Sequence, residues 1–424
     1  MSAAGMKVVH AADLHLDSAL GGLERYEGAP VHRIRGATRA ALVNLVDLAL
    51  EEGAGLVLLA GDIYDGDWKD YSTALFFRAQ MLRLAKEGVK VVWLRGNHDA
   101  ASHLQQHLDL PAAVSELPHK RAGSLVFEEL GVAVHGQGFA SRAVAENLAL
   151  AYPEPLPGLV NLGMLHTSVT GREGHASYAP CTLSDLVNKG YDYWALGHVH
   201  QREVLSEAPW VVFPGNLQGR HVREPGAKGA TVFDVSGGRV GGVEHRALDV
   251  VRFGICRVDV SSCASGDDVL GAVRDALSAA VAGADGRLLV ARVLIEGPSA
   301  AHGELSREAE RWVAEIRALG SELAGDDLWI EKIRVATRDR VDLAELCARD
   351  DAVGQVFRGL QALRGSADAR DAITRELSAL GSKLPAALRS GPLSLGWDDP
   401  AALDLLLGDV EQLLLPRLIG GGDA

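Results

Sequence analysis

The chain has 424 residues, 47% of them apolar and 23% charged, with a formal net charge of −14. That length exceeds a single hydrophobic core and points to two or three domains of a soluble globular protein. Residues 1–250 hold 22 Lys and Arg against 28 Asp and Glu, hence −6, and the rest hold 20 against 28, hence −8, so neither part has the basic signature of a stand-alone nucleic-acid binder. Histidine is less even: of 15, only His302 lies after residue 250, so one part of the chain is equipped for chemistry. No apolar run approaches the ~18 residues needed to cross a bilayer, and the opening residues do not read as a signal peptide. The four cysteines, Cys181, Cys256, Cys263 and Cys347, are scattered without a C-x-x-C. That argues against a disulfide framework or thiolate zinc site and suits a reducing cytoplasm.

Taken in order, Met6 to Ala12 reads as a strand buried on both faces, running into Asp13-Leu14-His15-Leu16-Asp17. Residues 30–52 have helical spacing of Ile34, Leu42, Leu45, Val46 and Ala49. Leu56 to Ala60 is the next apolar strand and ends in Gly61-Asp62, with Asp65 and Asp67 close behind. A helix over about 71–87 precedes the strand 89–94, which stops at Arg95-Gly96-Asn97-His98-Asp99. A glycine there lets the backbone turn sharply. Further strands are expected at 124–127 and 131–135. Leu159 to Leu165 ends at His166, and Tyr191 to Leu196 ends in Gly197-His198-Val199-His200. Strands 209–213 and 229–235 flank the loop Pro214 to His221.

Five times, then, an apolar strand carries ligand-type residues at its carboxyl end. In layered α/β folds such ends fan into one crevice. Near residue 250 the character changes to a small α/β unit, with strands at 252–260, 287–296 and 328–336 and helices at about 267–282 and 302–322. After 340 the pattern is helical. The last helix opens with Asp399 as N-cap and Pro400, then a stripe of Leu403, Leu406, Leu407, Val410, Leu413 and Leu414.

The collected side chains are Asp13, His15, Asp62, Asn97, His98, His166, His198 and His200. Carboxylate, amide and imidazole without thiolate suit Mn²⁺, Fe or Zn²⁺. A carboxylate can bridge two cations ~3.5–4 Å apart, which makes hydroxide available at neutral pH and clamps phosphoryl oxygens. The expected reaction is phosphate ester hydrolysis by in-line attack. The set and its order, Asp-x-His, Gly-Asp, Gly-Asn-His-Asp, a lone His and Gly-His-x-His, resemble the signature of calcineurin-like metallophosphoesterases over roughly 1–245. The Asp13 to Asp17 opening and the added domain look most like the SbcD/YhaO group of DNA repair exonucleases.

The resemblance implies a four-layer α/β/β/α sandwich over 1–250, a capping α/β domain over 251–340 and a helical region over 341–424. It implies that Asp13, His15 and His200 hold one metal, that Asn97, His166 and His198 hold the other, and that Asp62 bridges. His98 would be the general acid, oriented by Asp99. It further implies DNA as substrate, two divalent ions (Mn²⁺ first), an SbcC-type SMC-like ATPase as partner, a homodimer and no membrane.

Other readings stand beside these. His10, His135 and His245 read as structural, and His103, His107 and His119 as solvent-facing. Asp17, Asp65 and Asp67 read as caps, loop anchors or solvated charges. Arg220 and His221 border the site and could contact phosphate or simply lie on the surface. The leucine stripe reads as self-packing or as a partner face. A phosphodiesterase or phosphatase acting on a small molecule or phosphoprotein would use the same centre, and a non-enzymatic scaffold would need only the fold.

Overall fold

Strands β1 (Met6–Ala11), β2 (Ala54–Leu59) and β3 (Lys90–Trp93) are apolar at successive positions because both of their faces are covered. They lie side by side and parallel in a computed structural model that describes residues 5–18, 28–65, 71–101, 109–169, 178–340, 343–381, 383 and 400–419. Strand β4 (Val114–Glu116) adds in parallel to β3. The second sheet holds β5 (Gly123–Phe127), β6 (Val132–Gly136), β7 (Val160–His166), β8 (Tyr193–Gly197), β9 (Glu203–Glu207) and β10 (Trp210–Phe213), ordered β5-β6-β7-β8-β10-β9. Strands β11 (Gly229–Ser236) and β12 (Arg239–Ala247) return to the first sheet, whose order is β12-β11-β1-β2-β3-β4.

Val8, Leu56, Leu58 and Val92 meet Val134, Leu162, Met164 and Tyr193 between the two sheets. Their neighbours Val9, Val57, Leu59 and Val91 face outward, as the two-residue period of a strand requires. Helix α1 (Val31–Arg35) is separated at Gly36 from α2 (Ala37–Glu51), where one unbroken helix was expected. Leu42, Leu45 and Ala49 of α2, with Phe77, Met81 and Leu84 of α3 (Tyr71–Lys86), cover that outward face. On the far side Leu165, Trp194, Leu196 and Val211 pack with Phe139, Tyr152 and Leu186, the last from α4 (Leu183–Asn188). The result is the mixed α/β, four-layer sandwich that the motif order implies.

The chain divides into two compact units, Met1–Ile255 with Ala279–Arg292 and Ala324–Glu331, and Cys256–Ser278 with Val293–Leu323 and Lys332–Ala424. The first holds both six-stranded sheets, and within it Asp249 is buried between Arg252 (3.0 Å) and Arg287 (3.2 Å). A three-stranded sheet is formed by β13 (Val251–Asp259), β14 (Leu288–Ser299) and β15 (Leu328–Asp339) in that order. In the second unit, α5 (Gly266–Ala282) buries Val269, Val273 and Leu277 at four-residue spacing. The helix expected over 302–322 is two, α6 (His302–Arg307) and α7 (Ala309–Ala324), and α7 buries Trp312, Ile316 and Leu319.

Helices α8 (Leu343–Ala348), α9 (Ala352–Gly365), α10 (Ala367–Gly381) and α11 (Pro400–Ile419) follow. Leu403 and Leu407 of the stripe are buried, while Leu405 beside them is 72% exposed. Arg364 pairs with Glu411 (3.2 Å) and Arg370 with Asp404 (2.6 Å). Asp67, His103, His107 and the expected N-cap Asp399 lie outside the described residues. No described helix is long and apolar enough to cross a membrane.

His10 and His135 are structural, as expected. His135 sits between Ser124 Oγ (2.7 Å) and Asn161 Oδ1 (2.9 Å). His10 ties the two sheets together, with Nδ1 3.0 Å from the Tyr193 hydroxyl and Nε2 3.1 Å from the Leu196 carbonyl oxygen. Burial pushes its pKa from 6.5 down to about 3, so the folded chain holds it neutral. The unfolded chain binds more protons, so the stabilisation is complete above about pH 6.5 and is lost as pH falls towards 3. His10→Ala is expected to destabilise by about 2–4 kcal/mol near pH 8, because it empties core volume and strips partners from two buried polar groups. Urea melts of wild type and variant should converge as the pH is lowered. A difference that does not depend on pH would refute the neutral inter-sheet link.

Candidate metal centre

The carboxyl ends of β1, β2, β3, β7 and β8 open at one end of the sandwich, and each delivers its polar residues there. The first loops extend the sheet: Asp13 N–H donates to the Gly61 carbonyl, His15 N–H to Asp62 and Leu16 N–H to Ile63, each at 3.0 Å. The backbone that carries the ligands is strained. Asp13 (φ 53°), His15 (42°), Asp62 (53°) and His198 (97°) all have positive φ, which costs a non-glycine residue on the order of 1–3 kcal/mol. Gly96 is not among the positive-φ residues, so the turn expected of it is not its reason. A Cβ built on it would overlap Asp62 Oδ1 and come within 2.7 Å of Asp62 N. Gly197 is constrained the same way, by the Ala60 carbonyl and His166 Nδ1.

The eight collected side chains converge. His200 Nε2 is 3.2 Å from His15 Nε2 and 3.7 Å from Asp13 Oδ1. His166 Nε2 is 3.0 Å from Asn97 Oδ1 and 3.4 Å from Asp62 Oδ2, and that same Asp62 oxygen is 3.9 Å from His15 Nε2. Asp62 therefore faces both groups with one oxygen, while its Oδ1 accepts from His98 N–H (2.9 Å). His198 packs its ring on His166 (5.2 Å between centroids) and on Tyr178 (5.3 Å), and its N–H donates to Asp13 Oδ2 (2.9 Å). Three clusters able to hold a metal ion result among the described residues: Asp13, His15 and His200; His15, Asp62 and His98; Asp13, Asp62 and His166.

The chemistry of this donor set fits cations. His166 Nδ1 lies 2.9 Å from the Ala60 carbonyl oxygen, which can only accept, so Nδ1 carries the hydrogen and the lone pair of the neutral ring is at Nε2. That lone pair faces two oxygens. His200 repeats the arrangement with Nδ1 2.7 Å from Glu224 Oε1. Such outer partners are what orient metal-bound imidazoles. Burial opposes charge on both rings, but Asp62 beside His166 and Asp13 and Glu224 beside His200 outweigh it and push each pKa up to about 9. Burial lowers His15, and it pushes His198 down to about 4. Asp13 and Asp62 are held below the usual carboxylate range by the imidazoles, against their own burial.

At the rim, the structure corrects the expected partner of His98. Asp99 is fully buried and accepts from the N–H groups of Ile63 (3.0 Å), Tyr64 (3.0 Å) and Gly96 (3.0 Å). Its carboxylate ties two loops together and does not orient His98. Asp65 does so, with Oδ1 3.0 Å from His98 Nδ1, and the hydrogen bond raises the His98 pKa. From the sequence alone Asp65 reads as a cap, a loop anchor or a solvated charge. Asp17 is such an anchor, bound by Arg39 Nε (2.8 Å). One signal marks Asp65, its i+3 spacing from Asp62. Glu224 was missed outright, because nothing local distinguishes it.

Arg220 and His221 do border the centre. Arg220 Nη2 is 3.1 Å from Glu224 Oε1 and 3.2 Å from His200 Nδ1. His221 is half exposed, 3.7 Å from the same Glu224 oxygen.

Residues 6–202 match the calcineurin-like phosphoesterase family, and residues 253–338 match the middle domain of metallophosphoesterase YhaO. The chain is 38% identical over 249 residues to the uncharacterized metallophosphoesterase YhaO of Bacillus subtilis (strain 168); the match spans 57% of this chain and 60% of that relative. Over residues 6–202 the chain is therefore similar to calcineurin-like phosphoesterases, and over the aligned 249 residues to YhaO, of whose length it spans less than two thirds. A dimetal phosphatase from Danio rerio resembles 55% of the chain over 96% of its own length, at 12% identity and a TM-score of 0.33. Pseudomonas putida nuclease MPE resembles 54% over 84% of its own, at 18% identity and a TM-score of 0.23. At those scores neither bears on the chemistry.

Because the Gly96 space is taken by Asp62, Gly96→Ala is expected to displace that carboxylate. The variant should bind less than half the Mn²⁺ of wild type by metal analysis after dialysis, with its far-UV circular dichroism unchanged. Full metal content would show that the close approach has no consequence.

Proposed function

We propose that this chain hydrolyses phosphodiester bonds with two divalent cations, and that DNA is the substrate. The observation that carries the hydrolytic reading is the buried cage in which Asp62 faces both ligand groups, with His98 paired to Asp65 at its edge. Asp13, His15 and His200 would hold one cation and Asn97, His166 and His198 the other, with Asp62 shared. Such a pair supplies Lewis acidity to a phosphoryl group and a hydroxide nucleophile at neutral pH. The chain's own residues do the rest. His98, its pKa raised by Asp65, holds the proton that a leaving oxygen needs. Asp99 fixes the loop that carries His98 by accepting from three backbone amides. Arg220 stands where it can meet a phosphate oxygen, 4.0 Å from Asp65.

The choice of DNA is supported by the Asp13 to Asp17 opening and by the added module over 253–338. With it come Mn²⁺ as the ion, an SbcC-type SMC-like ATPase as partner, a homodimer and a cytoplasmic site of action. One observation favours a second reading: the net charge of −14 disfavours unaided binding of a polyanion, and a small phosphodiester needs no basic surface.

The test is purified protein with Mn²⁺, given linear DNA, circular DNA and a small phosphodiester. Asp62→Ala should lose both metal and hydrolysis. His98→Ala should keep the metal and lose about 10²–10⁴-fold in rate, the usual worth of a general acid. Cleavage of the small ester alone would replace DNA as substrate. Undiminished hydrolysis by metal-loaded His98→Ala would remove the general-acid role.

A further inference from the structure

The loop from Asn216 to Lys228 closes over one side of the cage, and its Asn216, Arg220 and Lys228 direct polar contacts onto Glu224 and His200. Glu224 is 6% exposed and its four nearest donors come from three directions. Oε1 takes His200 Nδ1 (2.7 Å) and Arg220 Nη2 (3.1 Å). Oε2 takes Asn216 Nδ2 (3.0 Å) and the Arg220 backbone N–H (2.8 Å). Buried Lys228 donates from Nζ to the His200 carbonyl oxygen (2.7 Å), so both the ring and the backbone of His200 are held by this one loop. The two outward-turned imidazoles of the cage are thus oriented differently. His166 has a neutral backbone carbonyl behind it, and His200 has an anion. A carboxylate behind an imidazole fixes its tautomer and raises its basicity more than an amide oxygen does.

We infer that Glu224 is a positioning residue that makes the Asp13, His15 and His200 half of the centre depend on the loop 216–228, while the Asn97, His166 and His198 half does not. The inference rests on the two-cation reading above. Glu224 touches neither substrate nor reacting atoms; it acts through His200 Nδ1, leaving Nε2 as the donor beside His15 and Asp13. The same carboxylate holds Arg220, so the ring that would carry a cation and the guanidinium at the rim share one anchor. Occupancy of this half-site and the placement of Arg220 are therefore coupled.

The experiment titrates metal-free protein with Mn²⁺ by calorimetry and follows it by electron paramagnetic resonance, in which a coupled pair is distinguished from an isolated ion. Glu224→Gln keeps the shape but faces a donor amide towards one of its present N–H partners. It should weaken one Mn²⁺ site by about 10–100-fold and leave the other unchanged, so that at one equivalent excess an isolated-ion signal replaces the coupled one. Arg220→Gln removes one donor from Glu224 Oε1 but leaves the carboxylate on His200 Nδ1, and should weaken the same site by less than Glu224→Gln does. If Glu224→Gln does not fold, Glu224→Asp, which keeps the charge on a shorter arm, should show the same selective loss at smaller size. Two unchanged sites in a folded Glu224 variant, or equal weakening of both, would overturn the inference. Wild-type protein that binds no pair of ions would instead overturn the two-cation reading.

Discussion

Oxygen and imidazole lone pairs that face one another in a buried space repel unless a positive charge lies between them. That constraint governs this molecule. Asn97 Oδ1, Asp62 Oδ2 and His166 Nε2 lie within 3.0–3.4 Å along two such contacts, and His15 and His200 direct Nε2 atoms at each other. Protons can relieve the repulsion, and the neighbouring carboxylates push the pKa values of His166 and His200 up to about 9. Divalent cations relieve it more completely, and they bring the charge that phosphoryl transfer needs.

The fold supplies this cage by keeping its parallel strands buried on both faces. Three ligand-bearing loops come from the first sheet and two from the second, and the inter-sheet core brings the ends together. The strain sits one to four residues beyond the strands, at Asp13, His15, Asp62 and His198. Loop-to-loop amide bonds from Asp13, His15 and Leu16, together with the three amides on Asp99, hold that strained backbone in place. Asp99 and Asp65 show how similar carboxylates diverge: one serves the backbone, the other the ring of His98.

Much of this was legible in the chain itself. Apolar runs ending in Asp, Asn or His marked the five strand ends, since strand period and ligand type are local properties. The role of Gly96 was half legible: the residue was picked out, but its reason is the proximity of Asp62, a contact with 33 residues between the partners. Glu224 was not legible, because its meaning comes only from the tertiary pairing with His200. Nor were β4, β9 and β12, and here the reason is patterning. Each is at the edge of its sheet or wets one face, so the continuous apolar signal that marks β1 or β7 is missing. The breaks at Gly36 and Glu308 escaped because hydrophobic spacing continues across them.

Those polar margins have a consequence of their own. A sheet margin leaves unpaired N–H and C=O groups that another strand could join. Here β9 carries Glu203 and Glu207 at its two ends, β12 carries Arg239, Glu244 and Arg246, and β4 is only three residues long. Charge and brevity at these borders deter strand pairing at both margins of the first sheet and at the β9 margin of the second.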